Sequence, residues 1–178
     1  MDVVAIIEKY YKKDTELYCI LMNHSTDVTR KALDMAENHP ELGVDVQFVA
    51  EAAMLHDIGI LWTDAHSIQC FGSEPYIRHG VIGHDLLLDE GLPRHALVCE
   101  RHTGAGLTKE EIVLQKLPLP HRDMMPLSVE EQLICFADCF FSKTNLGKEK
   151  TVEKVKIGLS RFSERSLHQF DEWCKMFL

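Results

Sequence analysis

Three features of the 178-residue sequence predict an all-α fold. Apolar residues recur at intervals of three and four along most of its length, and almost no stretch alternates with a period of two. Helix-capping residues, glycines and prolines punctuate the periodic segments. The expectation is eight or so helices joined by short loops, with no sheet.

A first short helix covers about residues 2 to 12, and Asp14 or Thr15 caps a long one through residue 39 with His24 in its middle. The turn signal HPELG precedes a third helix over about 45 to 58, ended by Gly59. Val46, Val49, Ala50, Ala53, Met54 and Asp57 track one of its faces. A loop of some fifteen residues follows, and Pro75 opens the next helix, because proline costs little in a first turn. Gly91 closes that helix, and Pro93 opens another that carries His102.

Thr108 with Glu111, and Ser128 with Glu131, match the capping box, in which a hydroxyl and a carboxylate satisfy each other's orphan backbone donors. Between them LPLPHRDMMP is irregular, since its prolines remove donors that a helix needs. Two amphipathic helices, about 151 to 161 and 164 to 177, finish the chain.

An apolar content of 46% and a charged content of 26% suit one globular domain with a real core. No apolar run approaches the roughly 20 residues of a membrane span, so no membrane partner is expected. The opening MDVVAIIEKYYKKD places acidic Asp2 before a short apolar stretch, the reverse of a secretory signal, and a cytoplasmic location is expected. A net charge of −9 argues against general affinity for nucleic-acid backbones, so duplex nucleic acid is not an expected partner. Any phosphate-bearing ligand must then be drawn in by local cations.

Six cysteines occur without a CxxC pair, the pattern of reduced thiols. Cys135 and Cys139 lie four apart, but a zinc-thiolate site needs further partners, so core packing is the expectation. Ten histidines are an excess for this length and the first sign of chemistry.

The strongest local feature is His56-Asp57, at the end of an apolar helix in AAMLHDIGI. Adjacent ionisable residues in an apolar setting need compensation, because an unpaired buried charge is expensive. A divalent metal supplies it, since neutral imidazole and carboxylate are both good ligands.

The ordered set His24, His56-Asp57 and Asp138, standing in LMNHSTDV, LHDIG and CFADCFFSK, resembles the HD-domain metalloenzymes over about residues 20 to 145. The resemblance implies a single compact HD-domain helical bundle over 1–178, with a metal-binding core at about 20–145 and C-terminal helices at 150–178 packing on it. His79 and His102 fall where binuclear members carry a second-metal pair, and one helix, a turn and another helix can return the chain between them. By the family's arrangement, His24, His56, Asp57 and Asp138 hold one ion, and Asp57 bridges to a second held by His79 and His102.

The implied cofactors are two divalent transition-metal ions, and Fe, Mn, Ni, Co or Zn each suit such ligands. The implied reaction is hydrolysis of a phosphoester or phosphoanhydride of a nucleotide or similar small metabolite. A metal-bridging hydroxide attacks phosphorus, with Asp57 as the catalytic residue that positions it. The same six ligands also serve a mixed-valence di-iron oxygenase or a non-catalytic nucleotide- or protein-binding module, although a degenerate module is expected to have lost a ligand. An oligomer is compatible with all three readings.

Arg78, Lys143, His66, His121 and Arg122 are the candidates for substrate contact, with Arg101 a further cation. Lys143 is favoured because it follows Asp138 by little more than one turn. Cyclic-dinucleotide-cleaving relatives have a lysine in a string like HDIGK, where Ile60 stands here, and the GYP motif is also absent. Cyclic di-GMP is therefore not an expected substrate. His84, about 140° around a helix from His79, and His95, about 10 Å along one from His102, are not expected ligands.

Overall fold

The structure, a computed structural model, describes residues 1–178. Nine α-helices carry the fold: α1 (Val3–Tyr10), α2 (Glu16–Asn38), α3 (Val46–Leu55), α4 (His79–Asp89), α5 (Pro93–Arg101), α6 (Lys109–Leu114), α7 (Val129–Asp138), α8 (Val152–Ser160) and α9 (Glu164–Phe177). Local chemistry accounts for their ends. Thr15, Ser128, Thr151 and Ser163 each accept a backbone N–H in the first turn of the helix they precede. Thr108 and Glu111 form both halves of a capping box.

At Ser128 only half of the expected box forms. Its hydroxyl accepts the Glu131 N–H, but the Glu131 carboxylate accepts from Leu127 N–H and from Arg101 at 2.9 Å instead. A charged donor outcompetes a neutral backbone one.

The expectation of no sheet is corrected by a small three-stranded sheet in the order β2-β1-β3. Strand β1 (Thr63–Ala65) pairs antiparallel with β2 (Cys70–Phe71) and parallel with β3 (Glu74–Pro75). Strands of two or three residues are too short to display an alternating pattern. Gly72 permits the return: a Cβ there would lie 2.1 Å from the Trp62 carbonyl oxygen. Pro75 does not open a helix but ends the edge strand β3, a position that requires no N–H. A 3-10 turn, Tyr76–Arg78, then leads into α4.

Two large apolar cores and a small third one, around Leu107 and Ile112, result, and α2 serves both large ones. Its Val28, Ala32, Met35 and Ala36 pack with Phe48, Val49, Phe136, Phe170 and Trp173 in one. Its Leu17, Ile20 and Leu21 pack with Ile7, Leu55, Ile58 and Leu87 in the other. Residues His24 and Ser25 fall at the seam between those two runs. Helices α3 and α5 straddle the seam likewise, Ala53 and Val98 facing one core and Leu55 and Cys99 the other. A polar cluster at such a seam is cut off from water on both sides, so its groups must satisfy one another or a ligand.

Close backbone approach brings the remaining elements to the seam. Helix α3 ends at Leu55, and Gly59 lies in a 3-10 segment, Ile58–Trp62, rather than acting as a left-handed cap. A Cβ on Gly59 would stand 2.1 Å from the His79 carbonyl, and one on Gly80 would stand 2.6 Å from that of Cys99. Glycine at both positions lets α4 sit against the chain after Asp57 on one side and against α5 on the other.

Candidate metal centre

Five of the six predicted ligands stand at or beside helix ends. His56 and Asp57 follow α3, His79 begins α4, His102 follows α5 and Asp138 ends α7, while His24 projects from mid-α2. The structure brings all six together at the seam. His24 Nε2 lies 3.1 Å from Asp57 Oδ2 and 2.9 Å from Asp138 Oδ1, and His56 Nε2 lies 3.0 and 3.5 Å from the same two atoms. On the other side, Asp57 Oδ1 is 3.5 Å from both His79 Nε2 and His102 Nε2. The two carboxylate oxygens of Asp57 thus face two different groups, and each group's candidate donor atoms lie within 4.8 Å of one another.

Backbone carbonyls aim three of the rings. Nδ1 of His56, His79 and His102 each donates to the carbonyl three residues earlier, Ala53, Tyr76 and Cys99, at 2.6, 2.7 and 2.7 Å. In the neutral imidazole that bond leaves Nε2 with a lone pair facing the cluster, as a metal ligand requires. His79 Nε2 and His102 Nε2 face each other at 3.1 Å, and two lone pairs at that range need a cation or a proton between them.

These residues fit divalent metal ions. His24 Nε2, His56 Nε2 and both Asp57 oxygens are buried and in no hydrogen-bond geometry, although their neighbours are close. Atoms at such separations that do not point at one another are aimed at shared points. With metal–ligand bonds of about 2.0–2.2 Å, ligand atoms around one ion stand roughly 2.8–3.6 Å apart, and these pairs stand 2.9–3.5 Å apart.

The electrostatics reflect the crowding. Burial works against charge on His56, yet Asp57 and Asp138 beside it outweigh that and hold the imidazole up to about 10. Burial likewise disfavours the Asp57 carboxylate, but Lys143 and His56 keep it well below its usual range. His79 is pushed down to about 3, chiefly by burial and then by His102.

The other predicted contacts separate. Lys143 reaches in from the loop after α7, its Nζ 2.5 Å from Asp57 Oδ2 and its side chain mostly buried. It lines a cavity of about 380 Å³ together with Asp138, Tyr76, Ser67, Ser142 and Thr144. Arg78 is not brought to the cluster, being held by Glu74 at 2.7 Å and by the Pro118 carbonyl. Nor is Arg122, which pairs with the buried Glu100. His66 is exposed beside Asp64 and Phe71, and His121 is exposed in the proline-rich loop. His84 pairs with Asp85, and His95 packs against Phe48. The Cys135 and Cys139 thiols both face the Gly104 carbonyl, as packed core thiols.

Tyr76 was not among the predicted residues: its ring stacks on His79 at 4.7 Å and its carbonyl orients the same imidazole. Nothing in the sequence marked it, since a backbone carbonyl and a ring contact leave no local pattern. The hydroxyls of Ser67, Ser142 and Thr144 carried no signal either.

The family model for the HD domain matches residues 21–141, a span that encloses all six residues. The chain belongs to the HD-domain family. It is 36% identical over 121 residues to an uncharacterized protein of Methanocaldococcus jannaschii, covering 66% of this chain and 64% of that one. It is 33% identical over 174 residues to a tRNA (cytidine(56)-2'-O)-methyltransferase of Thermoplasma volcanium, covering 95% of this chain and 46% of the relative. With a ribonuclease Y of Protochlamydia amoebophila it shares 29% identity over 147 residues, 83% of this chain and 23% of that one. The chain therefore spans less than two thirds of each of these relatives. No solved structure matches it. No helix is long and apolar enough to cross a membrane.

Proposed function

We propose that this chain is a metal-dependent phosphohydrolase that cleaves a phosphoester or phosphoanhydride of a nucleotide or similar small metabolite. One observation carries the reading: the two oxygens of a single buried carboxylate, Asp57, face two groups of candidate ligands, and the neighbouring cavity holds Lys143 and the hydroxyls of Ser67, Ser142 and Thr144. That combination suits a phosphoryl group, which needs cations on its oxygens and donors around them. The likeness to relatives named for acting on RNA agrees with a nucleotide as substrate.

His24, His56, Asp57 and Asp138 would hold one ion, and Asp57, His79 and His102 a second. Such a pair, when bound, lowers the pKa of a bound water and neutralises the charge that develops on phosphoryl oxygens. The chain's own residues do the positioning. The three carbonyl-tethered imidazoles keep their tautomers, and Asp57 fixes the spacing of the two groups. Lys143 would take a phosphoryl oxygen, and Ser67, Ser142 and Thr144 would offer hydroxyls to the rest of the substrate. Burial of five of the six ligands excludes bulk water from the cluster.

A panel of nucleoside mono-, di- and triphosphates and dinucleotides, assayed with each of Mn, Fe, Co, Ni and Zn, tests this reading. Metal-dependent phosphate release or ester cleavage from a member of the panel is expected. A fully metal-loaded protein that turns over none of them, with or without oxygen, overturns it.

A further inference from the structure

We propose that the substrate is a phosphodiester, a short dinucleotide whose two nucleosides occupy separate cavities on either side of Asp138; this deepens the phosphohydrolase reading and rests on it. The cluster is sealed except at one residue. The side chains of His24, His56, Asp57, His79 and His102 are at most 5% exposed, whereas that of Asp138 is 18% exposed. A reacting phosphate must therefore approach past Asp138.

Asp138 lines two cavities, not one. The first is the cavity of about 380 Å³ that holds Lys143. The second, of about 320 Å³, lies between the Gly104 loop and α8, and its lining includes Lys150, Lys154, Val155 and Gly158. Phe141 is the wall common to both. Each is at the lower end of the roughly 300–1,000 Å³ of small-molecule sites, room for one nucleoside rather than two.

Each cavity also has its own cation. Lys150 is tied to the carbonyls of Cys139 and Phe141 at 3.3 and 3.1 Å, so it braces the end of α7. Lys154, exposed one turn into α8, is in no ion pair and carries the charge of the second cavity. A monoester has a substituent on one side of phosphorus only and would leave one cavity empty. A diester fills both, and its phosphate then spans the Asp138 edge.

Hydrolysis balances without a co-reactant. The oxygen of one water bonds to phosphorus, one P–O ester bond breaks, and the departing alkoxide takes up a proton, giving one phosphomonoester and one alcohol. A dinucleotide is favoured over a long strand because a chain of net charge −9 has no general attraction for an extended phosphate backbone.

The test compares the metal-loaded protein on adenylyl-(3',5')-adenosine, on AMP and on a long single-stranded oligoadenylate, together with the variants Gly158→Phe and Lys154→Glu. A Cβ at Gly158 meets nothing within 4 Å, so the new ring enters open space in the second cavity. The expected result is a kcat/KM for the dinucleotide at least about tenfold above that for AMP. Both variants should cut that ratio by about tenfold or more, and Gly158→Phe should weaken binding of the uncleavable methylphosphonate dinucleotide by a similar factor. AMP turned over as well as the dinucleotide, or a ratio and methylphosphonate affinity unmoved by either variant, overturns the two-cavity assignment and leaves the phosphohydrolase reading standing. Preference for the long strand overturns the dinucleotide. Turnover of none of the three by a protein that does bind metal overturns the dinucleotide assignment, and the phosphohydrolase reading falls with it only if the nucleoside di- and triphosphates are left intact as well.

Discussion

The ammonium of Lys143 lies 2.5 Å from Oδ2 of Asp57, the same oxygen that faces His24 and His56. A divalent ion and an ammonium repel, so a metal held at Oδ2 would weaken the hold of Asp57 on Lys143, which also lines the neighbouring cavity. Lys143→Gln should therefore bind divalent metal several-fold more tightly and lose about tenfold to a hundredfold in kcat/KM. The loss is that of one charge-assisted hydrogen bond, about 1.5–3 kcal/mol. Metal titration and steady-state kinetics on the one variant check both halves, and unchanged values in both would contradict the account.

The second ligand group depends on two imidazoles that face each other at 3.1 Å. Replacing both, His79→Ala with His102→Ala, should reduce bound metal from two ions to about one per chain while His24, His56 and Asp138 keep theirs. Elemental analysis reads this directly. Retention of both ions would remove His79 and His102 from the ligand set.

Metal affinity should rise with pH. With its folded pKa raised from 6.5 to about 10, His56 carries a proton that the metal must expel. Asp57 and Asp138 are held well below the usual carboxylate range and His79 at about 3, so none of the three adds a proton in that window. Through His56, apparent affinity should climb by up to about tenfold per pH unit as pH rises toward about 10 and level off above it. The stability of the metal-free protein runs the other way: the raised pKa contributes fully below 6.5 and is lost as pH rises through about 10. Calorimetric titrations in buffers of different ionisation enthalpy would show proton release, and a flat affinity profile would count against it.

Arg122 offers a contrast. Its guanidinium covers Glu100, which is only 5% exposed, so Arg122→Ala leaves a buried carboxylate unpaired. The cost should be about 1–2 kcal/mol, the lower part of the usual range because Arg122 itself is half-exposed. Tm should fall by roughly 2–8 °C with KM unchanged. A raised KM at constant stability would return Arg122 to the substrate site.

The helices were legible in the sequence because their signals are local. Thr15, Thr108 and Ser128 announce helix starts within one turn, and the positions of Val28, Ala32 and Met35 repeat the helical period. The six ligands were legible because they are rare residue types in a fixed order. What depends on contact between distant segments was not. The strand at Thr63–Ala65 exists through pairing with Cys70–Phe71 and Glu74–Pro75, and the salt bridge that removes Arg122 from the site needs Glu100, on another element. Gly59 reads locally as a helix terminator, whereas its role is to let the His79 backbone approach. Carbonyl partners such as Ala53 and Cys99 are chemically silent in a sequence, because every residue has a carbonyl.

If Asp57 joins two metal sites, the metal content of Asp57→Asn must fall well below that of the unmodified chain when each is reconstituted and freed of excess ion. The side chain keeps its shape, and far-UV circular dichroism of the same samples reports the fold. About two ions per unmodified chain and fewer than one in the variant are expected, with the helical signal retained. Two ions bound to a folded Asp57→Asn would contradict that role of Asp57.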